Sequence, residues 1–202
     1  MKLQLALDML DVKAALSVIE YTFEHIDIIE LGTPLIKSVG LKTLIPAIKE
    51  NFPGKLILAD LKTMDVGCYE SDMAFDLGAD IVTVLGPADL ATIQGAKDSA
   101  VSHNKQVLVD MIAVDNIIKR VKEVESITVD FIGIHSGIDQ QHQGMTPLKT
   151  LQTVQKIAKT PVAVAGGITL DTIDSIITEK PETIIIGGAI TSSTTPAEVA
   201  KQ

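Results

Sequence analysis

Leu56-Ile57-Leu58-Ala59-Asp60-Leu61-Lys62-Thr63-Met64-Asp65 carries an apolar run straight into three charged residues. The run predicts a buried strand over Leu56 to Ala59. Side chains alternate faces along a strand, so Asp60 and Lys62 share a face, and Asp65 falls beyond the strand end. A carboxylate and an ammonium at the end of a buried strand are costly unless paired or used. Taken alone, the stretch also allows a buried ion pair that fixes a loop. The rest of the chain favours use over mere pairing, because the same event recurs.

Seven more short apolar runs each end at an ionisable residue or at glycine. Lys2 to Leu7 ends at Asp8, and Asp27 to Ile29 ends at Glu30. Asp80 to Leu85 ends at Gly86-Pro87, Gln106 to Val109 at Asp110, and Asp130 to Ile134 at His135. Pro161 to Ala165 ends at Gly166-Gly167, and Thr183 to Ile186 at Gly187-Gly188. Helical patterns fill the intervals. Asp11 caps a helix over Val12 to Phe23 with Ala14, Ala15, Val18 and Ile19 on one face. Gly32-Thr33-Pro34 turns the chain, and Leu41 to Asn51 is helical until Phe52-Pro53-Gly54 stops it. Further helices are predicted over Gly67 to Leu77, Ala88 to Ser102, Val114 to Val124 and Thr169 to Thr178. Another, Thr146 to Ala158, follows a polar loop from Ser136 to Gly144. Thr195-Pro196-Ala197-Glu198 predicts a capping box before a very short last helix. Eight strands alternate with helices, one unit per about 25 residues, which implies βαβ units and a parallel sheet. Eight units predict a single-domain (β/α)8 barrel over residues 1–202, ahead of an open doubly wound sheet.

Composition narrows the function. The 202 residues are 46% hydrophobic but only 3% aromatic, with no Trp. A core of Ile, Val, Leu and Ala suits buried parallel strands. The net charge of −9 argues against nucleic acid and anionic lipid as partners. It leaves backbone N–H groups as the means of holding phosphate. The single cysteine, Cys68, excludes an internal disulfide and reads as a small packed hydrophobe. Met1 to Gln4 lacks a signal-peptide pattern, and no apolar run approaches the roughly 18 residues of a membrane span. A soluble, cytoplasmic protein is expected.

In a barrel of this order every strand end lies on one face, where active sites sit. Five of the eight runs end in an ionisable residue and two in paired glycines. Gly166-Gly167 and Gly187-Gly188 follow the last two strands, the usual phosphate cradle of such barrels. Glu30 and Asp60 end neighbouring strands and suit a hard cation such as Mg²⁺. Lys62 stabilises a developing enolate oxygen or pairs with Asp60 or Asp65. His135 exchanges a proton near neutral pH. Asp8 accepts a substrate hydroxyl or orients Lys62, and Asp110 is ambiguous in the same way. Asp139 caps or braces its loop, and His25, His103 and His142 read as surface residues. Together these groups suggest enediolate chemistry on a sugar phosphate. They do not separate aldol addition, decarboxylation and isomerisation.

Asp60-Leu61-Lys62-Thr63-Met64-Asp65 resembles the Asp-x-Lys-x-x-Asp motif of the orotidine 5′-phosphate decarboxylase superfamily. The likeness extends along the chain. It takes in Gln4-Leu5-Ala6-Leu7-Asp8, Glu30 to Ile36, His135-Ser136-Gly137-Ile138-Asp139, Ala165 to Ile168 and Ile186 to Ile190. Within that superfamily it resembles the aldehyde-lyase branch. The resemblance implies reversible condensation of formaldehyde with D-ribulose 5-phosphate to D-arabino-3-hexulose 6-phosphate, with Mg²⁺ or Mn²⁺ as cofactor. It implies metal binding by Glu30 and Asp60, enediolate stabilisation by Lys62, and proton handling by His135. It further implies phosphate binding at Gly167, Gly187 and Gly188, and a homodimer in which Asp65 reaches the neighbouring site. The alternative is the 3-keto-L-gulonate-6-phosphate decarboxylase branch. That branch carries an arginine shortly after the histidine, where Ser136 to Asp139 have none. It also tends to have Glu at Asp110 and Arg at Gly188.

Overall fold

The computed structural model describes residues 1–202. Eight parallel strands close into a barrel in sequence order, with β1 pairing both β2 and β8. They are β1 (Lys2–Leu7), β2 (Ile28–Leu31), β3 (Leu56–Thr63), β4 (Ile81–Leu85), β5 (Gln106–Asp110), β6 (Phe131–His135), β7 (Val162–Ala165) and β8 (Thr183–Ile186). The ring excludes the open doubly wound alternative.

The helices form the outer layer. Those nearest the features described below are α1 (Val12–Thr22), α2 (Thr33–Val39), α3 (Leu41–Asn51), α4 (Gly67–Asp76), α5 (Leu90–His103), α6 (Ile117–Glu125) and α7 (Ile138–Gln141). Four more complete the layer: α8 (Leu148–Gln155), α9 (Ile173–Thr178), α10 (Gly188–Thr191) and α11 (Pro196–Lys201). Asp11 caps α1 as expected, its Oδ1 accepting the Ala14 N–H at 2.9 Å. Ala15 and Ile19 on that helix are buried, whereas Ala14 is exposed. Three short helices, α2, α7 and α10, occupy segments that read as turn or loop, because a helix of 4–7 residues shows too few turns for a period to emerge. The expected capping box at Thr195 is absent: its side chain makes no cap hydrogen bond, and its carbonyl alone receives the N–H groups of Glu198 and Val199. Cys68 is exposed on α4 rather than packed.

Two apolar layers hold the fold. The larger lies between strands and helices and includes Leu5, Ile29, Ile57, Val82, Val107, Ile132 and Val164. The smaller fills the barrel interior with Ile28, Leu58, Ile81, Leu108, Phe131 and Ala163. Toward the C-terminal end of the barrel the interior turns polar, with Gln4, Glu30, Asp60, Thr83 and Asp110 all buried. The same strands therefore carry a closed floor and a reactive roof.

At the opposite end, a carboxylate just before β2, β4 and β6 closes the ladder of the preceding strand. Asp27 Oδ2 accepts the Leu3 N–H (2.8 Å), Asp80 Oδ2 that of Ile57 (3.0 Å), and Asp130 Oδ2 that of Val107 (2.9 Å). Lys105 (2.5 Å) pairs with Asp80, and Lys97 (2.8 Å) with Asp130. This end of a barrel serves stability. Asp80→Ala leaves the Ile57 N–H without its partner and is expected to cost about 1–3 kcal/mol. Denaturant melts of the variant should show that loss with turnover within twofold of wild type; a selective loss of turnover contradicts the assignment.

Candidate active site

The polar roof opens into a cavity of about 790 Å³. Asp8, Glu30, Asp60, Lys62, Asp110, His135, Gly166, Gly167, Gly187 and Gly188 all line it. Asp65 does not. It lies exposed past the end of β3, where the chain turns outward through Val66 at φ 51°, and its Oδ1 accepts the Val66 N–H at 2.8 Å.

The centre is a line of three charges. Lys62 Nζ lies 2.5 Å from Asp60 Oδ2 and 3.4 Å from Asp110 Oδ2. His135 Nδ1 lies 2.9 Å from that same Asp110 oxygen. A carboxylate only accepts, so Nδ1 carries the proton and Nε2 keeps its lone pair in the neutral ring. Asp110 Oδ1 accepts the Ile112 N–H at 2.9 Å. Lys62 is therefore oriented by Asp60 and Asp110, not by Asp8. Asp8 sits exposed at the mouth of the cavity, its carboxylate packed so closely on Gly32 that a Cβ there would lie 2.2 Å from Oδ1.

The strand that supplies this centre is irregular. β3 continues through Thr63 rather than stopping at Ala59, and Lys62 adopts a left-handed φ of 48°. Asp60 and Lys62 share a face as expected, but through a bulge rather than simple alternation. Asp60 is held on both oxygens. Thr83 Oγ1 donates to Oδ1 at 2.8 Å, and Thr33 Oγ1 lies 2.9 Å from Oδ2 and 2.7 Å from the Asp60 carbonyl. Glu30 Oε2 accepts a bond from Gln4 Nε2 at 2.7 Å.

Burial and charge tune these groups. Burial pushes the Glu30 carboxyl up, the Asp60 charge pushes it further, and it reaches about 8. Partial burial and the same Asp60 charge raise Asp8. Burial alone would lower Lys62, but the carboxylates of Asp60 and Asp110 outweigh it and hold the ammonium charged well above its usual range. Burial alone would raise Asp110, but the His135 hydrogen bond and charge, with Lys62, bring it below the usual carboxylate range.

No three His, Cys, Asp or Glu side chains converge as a ready-made metal cage. Two carboxylates completed by water and substrate are what Mg²⁺ commonly takes. Glu30 fits that role: it is buried beside a second carboxylate, it lines the cavity, and only Oε2 has a protein partner. The opposite wall offers backbone donors. Gly166 (φ 109°) and Gly167 (φ 66°) take conformations that favour glycine, and a Cβ on Gly166 would lie 2.2 Å from the Ser136 carbonyl. The N–H groups of Gly167 and Ile168 have no backbone partner.

Gln4, Thr33 and Thr83 were not singled out in the sequence. Thr83 had a signal, as the only polar residue of the run Ile81-Val82-Thr83-Val84-Leu85. Gln4 lies four residues before Asp8 and so on its face of the strand.

These features define a (β/α)8-barrel enzyme with its reactive groups on the C-terminal ends of the strands. Residues 1–202 match the orotidine 5′-phosphate decarboxylase / HUMPS family, and the chain belongs to that family. It is 44% identical over 203 residues to the 3-hexulose-6-phosphate synthase of Staphylococcus haemolyticus, covering 100% of this chain and 96% of that one. The 3-hexulose-6-phosphate synthase from Salmonella typhimurium superposes with a TM-score of 0.97 at 44% identity, covering 100% of this chain and 95% of the other. The 3-keto-L-gulonate-6-phosphate decarboxylase (KGPDC) from Streptococcus mutans, solved as a ligand complex, superposes with a TM-score of 0.92 at 26% identity, covering 99% and 94%.

The Glu30 shift has a stability consequence. The folded protein keeps a proton up to about pH 8 that the unfolded chain loses near 4.5. More protons bound in the native state means stability falls as pH rises between those values. In EDTA, Glu30→Gln should therefore gain melting temperature relative to wild type from pH 5 to pH 8. Mg²⁺ should narrow that gap by stabilising wild type alone. A gap independent of pH contradicts the Glu30 assignment.

Proposed function

We propose that this chain is a single-domain aldehyde-lyase that condenses formaldehyde with D-ribulose 5-phosphate, reversibly, to D-arabino-3-hexulose 6-phosphate. The observation that carries the proposal is Lys62 bridging Asp60 and Asp110, with His135 bound to the same Asp110 oxygen. Identity favours the synthases, at 44% against 26% for the decarboxylase. So does the segment after His135, where Ser136 to Asp139 contain no arginine. The protein works in the cytoplasm.

The backbone N–H groups around Gly166, Gly167, Gly187 and Gly188 hold the phosphate, since the cavity has no arginine to do so. Glu30 and Asp60 hold Mg²⁺, or Mn²⁺ in its place, which supplies Lewis-acid stabilisation of negative charge on oxygen. His135 Nε2 removes a proton from C1 of ribulose 5-phosphate. The electron pair passes into the C2 carbonyl and makes a 1,2-enediolate. Lys62, permanently charged, stabilises its oxygen. C1 then attacks the formaldehyde carbon, the C2 carbonyl reforms, and the new alkoxide takes the proton back from His135. Asp110 keeps His135 in the required tautomer throughout. Asp8 at the mouth accepts a substrate hydroxyl.

The enzyme is a homodimer in which Asp65 enters the neighbouring cavity. Its exposure outside its own cavity supports this, as do the exposed apolar Met64, Val66, Tyr69 and Met73 beside it.

Formaldehyde consumption with ribulose 5-phosphate, in Mg²⁺ and in EDTA, tests the reaction. Metal-dependent consumption is expected; no consumption, with CO₂ released from 3-keto-L-gulonate 6-phosphate, moves the chain to the decarboxylase branch. Lys62→Ala should fold normally and lose about 10²–10³-fold or more in kcat. Turnover near wild type removes Lys62 from the mechanism. Asp65→Asn should be nearly inactive alone and recover when mixed with Lys62→Ala, because hybrid dimers contain one intact site. Failure of active hybrids to form counts against the shared site.

A further inference from the structure

The bulge in β3 has an unusual partner. Ala59 pairs with Val82 and Thr63 with Val84, so Asp60, Leu61 and Lys62 stand opposite one residue of β4, Thr83. A regular ladder gives each strand N–H a backbone carbonyl. Here the Lys62 N–H donates instead to Thr83 Oγ1, at 2.9 Å. The same hydroxyl donates its proton to Asp60 Oδ1 at 2.8 Å. One hydroxyl can do both, since it has one proton to give and lone pairs to receive. Thr83 is only 4% exposed.

Lys62 bears a conformational cost at this point. A left-handed lysine persists only where its surroundings over-determine it. The Thr83 hydroxyl holds the lysine backbone and the aspartate side chain at once, and the Lys62 ammonium then closes the ring on Asp60 Oδ2 at 2.5 Å. We infer that Thr83 is a positioning residue: its hydroxyl replaces the missing ladder carbonyl and fixes Asp60 and Lys62 relative to each other. It acts through those two residues. The β-branched side chain restricts its own χ1 rotation and so aims the hydroxyl at both partners. The catalytic side of this inference rests on the aldol reading above.

Thr83→Val keeps the shape and removes the hydroxyl; Thr83→Ser keeps the hydroxyl and removes the methyl. In Thr83→Val, kcat should fall about 10- to 100-fold with KM for ribulose 5-phosphate changed by less than threefold, because misplacement of a charged group weakens transition-state stabilisation. Thr83→Ser should recover kcat to within about threefold of wild type. Hydrogen exchange at the Lys62 amide gives a readout that needs no substrate: slow in wild type and Thr83→Ser, accelerated in Thr83→Val. Wild-type kcat in folded Thr83→Val, an unchanged Lys62 amide, or equal damage from serine and valine overturns the inference. If Thr83→Val does not accumulate folded, Thr83→Ala, which also lacks the hydroxyl, takes its place, and wild-type kcat and amide protection there overturn it equally. Wild-type protein inactive on formaldehyde and ribulose 5-phosphate defeats the aldol reading instead, and the amide exchange still decides the role of Thr83.

Discussion

Everything in the upper half of this barrel depends on the Lys62 ammonium lying between Asp60 and Asp110. Five carboxylates, Asp8, Glu30, Asp60, Asp110 and Asp139, line one cavity whose only lysine is Lys62. Buried like charges repel strongly in a poor dielectric, and a single ammonium does not offset them all. The remaining negative charge is met in three ways. Hydroxyls of Thr33 and Thr83 and the amide of Gln4 donate to the acids. His135 donates to Asp110. Glu30 keeps its proton until about pH 8, or yields it to a cation.

This division of charge explains how one set of strands carries both a core and a site. Inward positions hold apolar residues near the floor and polar ones near the roof. The outward positions remain apolar along the whole length and pack against helices. Stability is secured at the floor, where Asp27, Asp80 and Asp130 close the ladders. The roof is free to store unfavourable features, including a left-handed lysine and a perturbed glutamate.

The architecture was legible because seven of eight apolar runs stopped at an ionisable residue or a glycine pair, and a parallel barrel is the fold in which those stops share a face. The stops located every cavity-lining residue singled out, including Asp110 and His135, far apart in the chain but 2.9 Å apart in space. How β3 carries Asp60 and Lys62 was not legible, because a bulge has no composition of its own. Cys68 read as buried, since nothing local tells the inner from the outer face of a short helix such as α4. Thr83 escaped notice because it sits mid-strand, away from the strand ends where the charges gather.

The chemistry rests on one step: this site makes an enediolate from the sugar phosphate before any second substrate arrives. The most direct test is to incubate the Mg²⁺-loaded enzyme with ribulose 5-phosphate in D₂O, without formaldehyde, and follow the C1 protons by NMR. The mechanism predicts stereospecific exchange of one C1 proton, lost in EDTA and in His135→Gln. Turnover with formaldehyde but no exchange without it, under conditions where solvent reaches the base, would contradict it.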